Sequence, residues 1–256
     1  MVGLRAMRWR GMASLLVAAC AACGQGVPIL MYHSVAPQGD PLTVTPAELD
    51  AQLDYLQSAG FNTVTLRDVV DAQDGHGKLP HRPIVLTFDD GYDDAATEVL
   101  PRLLQRGQKA TFFIISGFCA QDASRRVTQW HKEFLTWSEV RALRDAGMEI
   151  GSHTVSHRKL SSLERDDLRT EVTQSRAALE RYLGMRIEFF AYPYNDQSRW
   201  VRRAVEKAGY RGAVVGARGN GDSFTLQRLT MHRGISPSDL KAMLEDSWET
   251  DYTGGG

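Results

Sequence analysis

Cysteine is scarce in this chain: three residues in 256, two of them within the first 23 positions. A folded body left with Cys119 alone has no internal disulfide framework, so its stability has to come from an apolar core. Positive charge is not in excess either. Thirty Lys and Arg against 31 Asp and Glu leave a net charge of -1, which removes the electrostatic footprint of a nucleic-acid binder. Beyond the N-terminus no apolar run approaches the ~18 residues of a membrane span, which excludes a multi-span membrane protein. The 9 Pro and 23 Gly are spread along the chain, which excludes collagen-like and disordered classes. With 43% hydrophobic and 24% charged residues, the expectation is one large soluble domain rather than two.

The front of the chain is different. Arg5, Arg8 and Arg10 precede a short apolar stretch from Met12 to Ala22, too short to span a bilayer. That layout reads as an export signal over residues 1–19 rather than a helix of the fold. The stretch ends Val17-Ala18-Ala19-Cys20, small residues before a cysteine, which resembles the lipid-attachment site of bacterial lipoproteins. Cys20 is therefore the expected anchor to the membrane. Cys23 is a second candidate, and a plain cleaved signal is the alternative. Residues 20–26 would form a tether, 27–250 the domain, and 251–256 (DYTGGG) a floppy tail.

From Val27 onward β-rich runs alternate with amphipathic helical stretches. Strands are expected at 28–33, 62–66, 83–88, 109–116, 148–151, 187–191, 211–215 and 228–232. Helices are expected at 46–59, 66–73, 94–106, 137–146, 163–183, 198–208 and 237–248. The first helix carries clear punctuation, with Thr45 as cap, Pro46 at its first position and Gly60 past its end. Strand–helix alternation argues for a parallel α/β sheet, and about seven units in one domain suit a distorted (β/α) barrel better than an open sheet.

Three clusters carry chemistry, each at an expected strand end, where α/β barrels collect their reactive groups. Asp89-Asp90-Gly91 closes the run Ile84–Phe88. Successive strand residues point to opposite faces, so both aspartates share a site only if the strand stops, and Gly91 permits that break. A solvated turn or helix cap is the plainer reading, but Asp93 and Asp94 are better placed to cap the next helix. The second cluster is Gly151-Ser152-His153-Thr154-Val155-Ser156-His157. Two histidines four apart share a face of a helical turn, and with a carboxylate they suit a divalent metal, zinc above all, with a coordination position open for water. The third is Ala191-Tyr192-Pro193-Tyr194-Asn195, a stiff aromatic wall for a sugar ring or simply a buried strand end.

Taken in order and spacing, Thr87–Asp90, His153–His157 and Ala191–Tyr194 resemble the polysaccharide deacetylase (NodB-homology, carbohydrate esterase family 4) family. Pro28–Ser34 and the segment from Leu135 to Gly151 extend the resemblance across most of 27–235, and it lies nearest the exopolysaccharide poly-N-acetylglucosamine deacetylase branch. The resemblance implies a metal-dependent hydrolase removing N-acetyl groups from a GlcNAc-containing polysaccharide outside the cytoplasm. It further implies Asp89 as general base, Asp90, His153 and His157 as metal ligands, and Tyr192, Pro193 and Tyr194 at the substrate, the Tyr194 backbone N–H helping to hold the oxyanion. The leaving amine needs an acid titrating near neutrality. His33, ending Met31-Tyr32-His33, and His232, in Leu229-Thr230-Met231-His232, both match family positions, and the His33 motif matches better. His76, His81 and His131 fall in loops.

Departures from the family pattern are specific. Many relatives carry arginine where Ala191 stands, pairing with the catalytic aspartate, and nothing local replaces it. The Asp- and Trp-containing motif expected after Tyr210 is not recognisable, and Asn195 stands where glycine is common. Two other readings compete with the N-deacetylase: an O-acetyl esterase on sugar or xylan using the same site, and a catalytically silent glycan-binding lipoprotein. Proteins of exopolysaccharide synthesis and export are the implied partners.

Overall fold

Short strands and helices alternate along the chain and set up the barrel. In the computed structural model, which describes residues 26–216, 219 and 222–249, β1 (Ile29–Tyr32) is followed by a small parallel pair, β2 (Ser34–Val35) and β3 (Thr43–Val44). Next come α1 (Pro46–Ser58), β4 (Asn62–Val64), α2 (Leu66–Gln73), β5 (Pro83–Phe88) and a π-helical turn, Ala95–Val99, leading into α3 (Leu100–Arg106). β6 (Thr111–Ile114) precedes a two-residue hairpin, β7 (Thr128–Gln129) and β8 (Lys132–Glu133), and then α4 (Trp137–Asp145). The second half runs β9 (Glu149–Ser152), α5 (Arg165–Leu183), β10 (Phe189–Ala191), α6 (Arg199–Lys207), β11 (Gly212–Val215), β12 (Leu226–Gln227), β13 (Leu229–Thr230) and α7 (Pro237–Glu249). The export-signal, lipid-anchor and tail readings lie outside the described residues.

Local chemistry starts the helices where the sequence indicates. Thr45, Thr65 and Thr136 each accept from the backbone N–H three residues on, and Glu48, Asp68 and Glu139 return the bond to the cap backbone. These reciprocal bonds satisfy donors that a helix start otherwise leaves open. Asp94 departs from expectation. It stands at the start of the π turn without a capping bond, because its carboxylate instead accepts from Ser34 Oγ (2.5 Å) and Val35 N (3.0 Å).

The main sheet is parallel, in the order β12-β11-β10-β9-β6-β5-β1-β13, with β4 paired to the first half of β5. The expected strand 228–232 is not one strand. Leu226 and Gln227 pair with Val214 and Val215, whereas Leu229 and Thr230 pair with Leu30 and Met31 on the other side. The two ends of the sheet are thus one continuous segment, 226–230, hinged at Arg228. That segment is the seventh stave, and it closes the distorted (β/α) barrel.

Alternation along the strands separates two apolar layers. Ile84, Leu86, Phe88, Phe112, Ile114 and Phe190 belong to the large core shared with the helices. Val85, Phe113, Phe189, Ala191, Val214 and Leu226 belong to a second cluster filling the barrel. Gly151 matters here, because a Cβ at that position would collide with the Phe113 ring. Its bare backbone lets Phe113 occupy the barrel axis, and the Arg228 guanidinium sits 5.7 Å from that ring's centroid. At the opposite end Glu149 closes the floor, accepting from the first amides of α2, Leu66 N (3.0 Å) and Arg67 N (3.2 Å), and from Thr111 Oγ1 (2.7 Å).

Candidate active site

β5 ends at Phe88, and Asp89 keeps the strand's direction, its N–H donating to Tyr32 O at 2.9 Å. Asp90 then takes φ 74° and Gly91 φ 75°. A left-handed aspartate is uncommon and costs of the order of 1–3 kcal/mol, a cost that concentrates at functional sites. The turn lets two adjacent carboxylates face one cavity, so the break begins at Asp90 itself rather than at Gly91.

His153 directly follows β9, its N–H donating to Ile114 O at 2.9 Å. The chain from 153 to 157 is not a helical turn, contrary to the spacing argument. Left-handed Thr154 (φ 70°) and His157 (φ 58°) fold it back instead. Glu171, buried in α5, pins this loop by accepting from Val155 N and Ser156 N, both at 2.9 Å, and from the Ser156 hydroxyl. His157 N donates to Thr154 Oγ1 at 2.9 Å.

The three expected ligands converge. His153 Nε2 and His157 Nε2 each lie 3.4 Å from Asp90 Oδ1, and one ligand atom from each residue falls within 4.8 Å of the others. Bonds of about 2.1 Å in tetrahedral array separate ligand atoms by about 3.4 Å, so the cluster has the size of a divalent metal site. His153 Nδ1 lies 2.8 Å from Ala191 O, a partner that fixes the tautomer and leaves Nε2 to the site. His157 Nδ1 is buried with no hydrogen-bond partner.

Charge is arranged to match. Burial and the neighbouring His153 push His157 down to about 4, keeping it neutral with a free lone pair. For Asp90 burial acts upward, but the hydrogen bond and charge of His153 outweigh it and hold the carboxyl well below its usual range. His153 feels the same bond in reverse: burial acts downward, Asp90 prevails, and its pKa is raised.

Asp89 has a partner the sequence did not disclose. Arg228 Nη1 and Nη2 donate to its two carboxylate oxygens, both at 2.7 Å, and Nη1 also reaches Thr87 Oγ1 at 3.1 Å. Both groups are buried, with side-chain exposures of 0% for Arg228 and 3% for Asp89. Burial alone would raise the carboxyl, yet Arg228 holds it below the ordinary aspartate value, so it stays ionised. The arginine missing at Ala191 is therefore replaced from the closing segment, 139 residues from its partner.

The other candidates separate. His33 lines the same cavity of about 550 Å³ as Asp89, Asp90, His153 and His157. Its Nδ1 is buried without a partner, and burial, opposed by Asp89 and Asp90, lowers its pKa. His232 is exposed and does not line that cavity. The aromatic wall is only partly realised. Tyr192 is buried and spends its hydroxyl on Phe224 O at 3.1 Å, Pro193 is buried and outside the cavity lining, and Tyr194 alone stands 62% exposed. Asn195 suits its left-handed φ of 55° and accepts from Gly216 N at 2.6 Å, which is work a glycine could not do. Trp130, at the tip of the β7–β8 hairpin, also enters the cavity, its ring 5.1 Å from that of His157.

A barrel mouth holding an Asp–His–His cluster of metal-site size beside an ion-paired carboxylate fits the constellation of a metal-assisted hydrolase. The chain belongs to the polysaccharide deacetylase family, whose model matches residues 76–213. It is 28% identical over 223 residues to YxkH of Bacillus subtilis (strain 168), whose name places it among polysaccharide deacetylases, covering 86% of this chain and 76% of that one. It is also 28% identical over 138 residues to the poly-beta-1,6-N-acetyl-D-glucosamine N-deacetylase of Escherichia coli (strain K12), covering 50% of this chain but 20% of that enzyme. Among solved structures, the deacetylase PplD of Streptococcus pyogenes, in complex with acetate, superposes with a TM-score of 0.75 at 24% identity, covering 84% of this chain and 96% of that one. That likeness shows the fold.

Proposed function

We propose that the protein removes N-acetyl groups from a GlcNAc-containing polysaccharide outside the cytoplasm, held at the membrane by a lipid on Cys20. The observation that carries the chemistry is the buried Arg228–Asp89 pair beside the Asp90–His153–His157 cluster. A pure glycan binder has no use for a buried carboxylate kept ionised next to a metal site.

The residues divide the work as follows. Asp90, His153 and His157 would hold a divalent ion, zinc by the chemistry of the donors, which when bound would lower the pKa of a coordinated water and polarise the amide carbonyl. Asp89, ionised by Arg228, takes the attacking water's proton. The Tyr194 backbone N–H assists in holding the oxyanion. His33, the histidine in the cavity, protonates the leaving amine. The polymer named for the Escherichia coli relative supports a GlcNAc substrate. The test is acetate release from GlcNAc oligomers and from O-acetylated xylan, with metal-loaded protein. Release from the amide substrates alone supports the proposal. Release from the ester alone makes the protein an O-acetyl esterase, and release from neither removes the enzymatic reading.

A further inference from the structure

Among the described residues four large hydrophobic side chains are exposed: Leu104, Trp130 (42%), Tyr194 (62%) and Trp200 (61%). The three aromatic ones share a path. Trp130 and Tyr194 line the active-site cavity and also a neighbouring cavity of about 850 Å³. Leu163 lines that neighbour and, in turn, a third cavity of about 450 Å³ whose wall is Trp200. The three hollows adjoin at shared lining residues, a groove interrupted at Leu163 that runs from the Asp90–His153–His157 cluster across the start of α5 to the start of α6.

We propose that this groove is an extended polysaccharide track and that Trp200 is a distal sugar-stacking platform at its far end. The proposal rests on the functional reading above and names where the rest of the polymer lies. An exposed aromatic face joins a large apolar area to a polar rim, the kind of surface on which a sugar ring can stack. The Arg165 guanidinium lies over the Trp200 ring, 5.1 Å from its centroid, a cation–π contact on one face. Ser161 and Ser198 beside it supply short hydroxyls rather than an apolar floor, a mixture that suits the alternating C–H and O–H surface of a pyranose. Continuity with the active site through Leu163 favours a glycan over a membrane, although Arg203 and Lys207 at the same rim would also tolerate an anionic surface.

The experiment compares wild type with Trp200→Ala, Trp200→Phe and Leu104→Ala on GlcNAc trisaccharides and on long polymer, with both β-1,6 and β-1,4 linkages. Acetate release and direct polymer binding by calorimetry are measured together. Trp200→Ala should raise KM for polymer about three- to tenfold with kcat unchanged, and leave the trisaccharide unaffected. Trp200→Phe should restore most of the loss, and Leu104→Ala, off the groove, should behave as wild type. Equal losses on trisaccharide and polymer, or no loss on polymer, overturn the track. Loss of binding to phosphatidylglycerol vesicles with polymer KM unchanged also overturns it, in favour of a membrane face. If wild type releases no acetate but still binds polymer through Trp200, the catalytic reading fails and the track stands. If it binds neither polymer, both fail.

Discussion

Replacing Arg228 with glutamine should cripple the base without touching a metal ligand. The wild-type pair is fully buried and joined by two 2.7 Å bonds, so removing the guanidinium strands a carboxylate in the barrel. Breaking such a pair costs about 3–5 kcal/mol of stability, a large fraction of what a domain has. The chain can escape part of that cost by protonating Asp89. Arg228 is what holds this carboxyl below the ordinary aspartate value against burial, so without it the acidic limb of kcat/KM should move to higher pH. The sign for stability also inverts. In wild type the depressed Asp89 contributes stability that is present above the ordinary aspartate value and lost as pH falls through its folded pKa. In Arg228→Gln the folded pKa lies above the unfolded one, so the deficit should be largest at neutral pH and shrink in acid. Arg228→Lys keeps the charge but not the fork, and should fall between. The assays are a pH–rate profile with saturating metal and melting curves at pH 5 and 7. An unmoved acidic limb together with a pH-independent stability loss would refute the reasoning.

Chelation should abolish acetate release, and restoring zinc at about 100 times its Kd should raise stability by about 2.7 kcal/mol, a response that Asp90→Asn and His157→Ala lose. Because Asp90 raises the pKa of His153, protons compete with a metal for that ring, and metal binding should weaken as pH falls; isothermal titration at two pH values checks this. His33→Ala should lower kcat about 10²–10⁴-fold with metal content intact, whereas His232→Ala should stay near wild type, and the reverse pattern would reassign the acid. Glu171→Ala, freeing the loop that carries His157, should cost about 10–100-fold in metal affinity by competitive chelator titration. Cys20→Ser should leave the membrane fraction and lose lipid labelling; an unchanged fraction would point to another anchor.

What the sequence disclosed was what it encodes locally. Asp89-Asp90 and His153/His157 are short motifs at strand ends, and the first helix shows its start in Thr45 and Pro46 and its end in Gly60. Arg228 was hidden for a physical reason. Its partner is far away in the chain, and it interrupts a strand whose halves, two residues each, bond to different neighbours and so show no periodicity. Glu171 was equally silent, because a glutamate in the charged helix α5 looks like a solvated residue until the loop it holds is seen. The hairpin carrying Trp130 turns at Trp130 (φ 53°) and His131 (φ 61°), without the Gly or Asn that normally marks such a turn. The His153–His157 spacing picked out two residues that the structure does bring to Asp90, but through a left-handed fold-back rather than a helical turn.

The closing stave has one more consequence. Leu229 and Thr230 hold the seam against β1 by two register pairs, and the residue at the hinge is the one that sets the charge of the base. Barrel closure and reactivity are therefore a single event: a chain folded up to β11 could gather its metal ligands from β5 and β9, yet would lack a tuned base. An opening of the seam would part the guanidinium from Asp89 and so untune the base. The residue that tunes the base thus sits in the strand that closes the barrel.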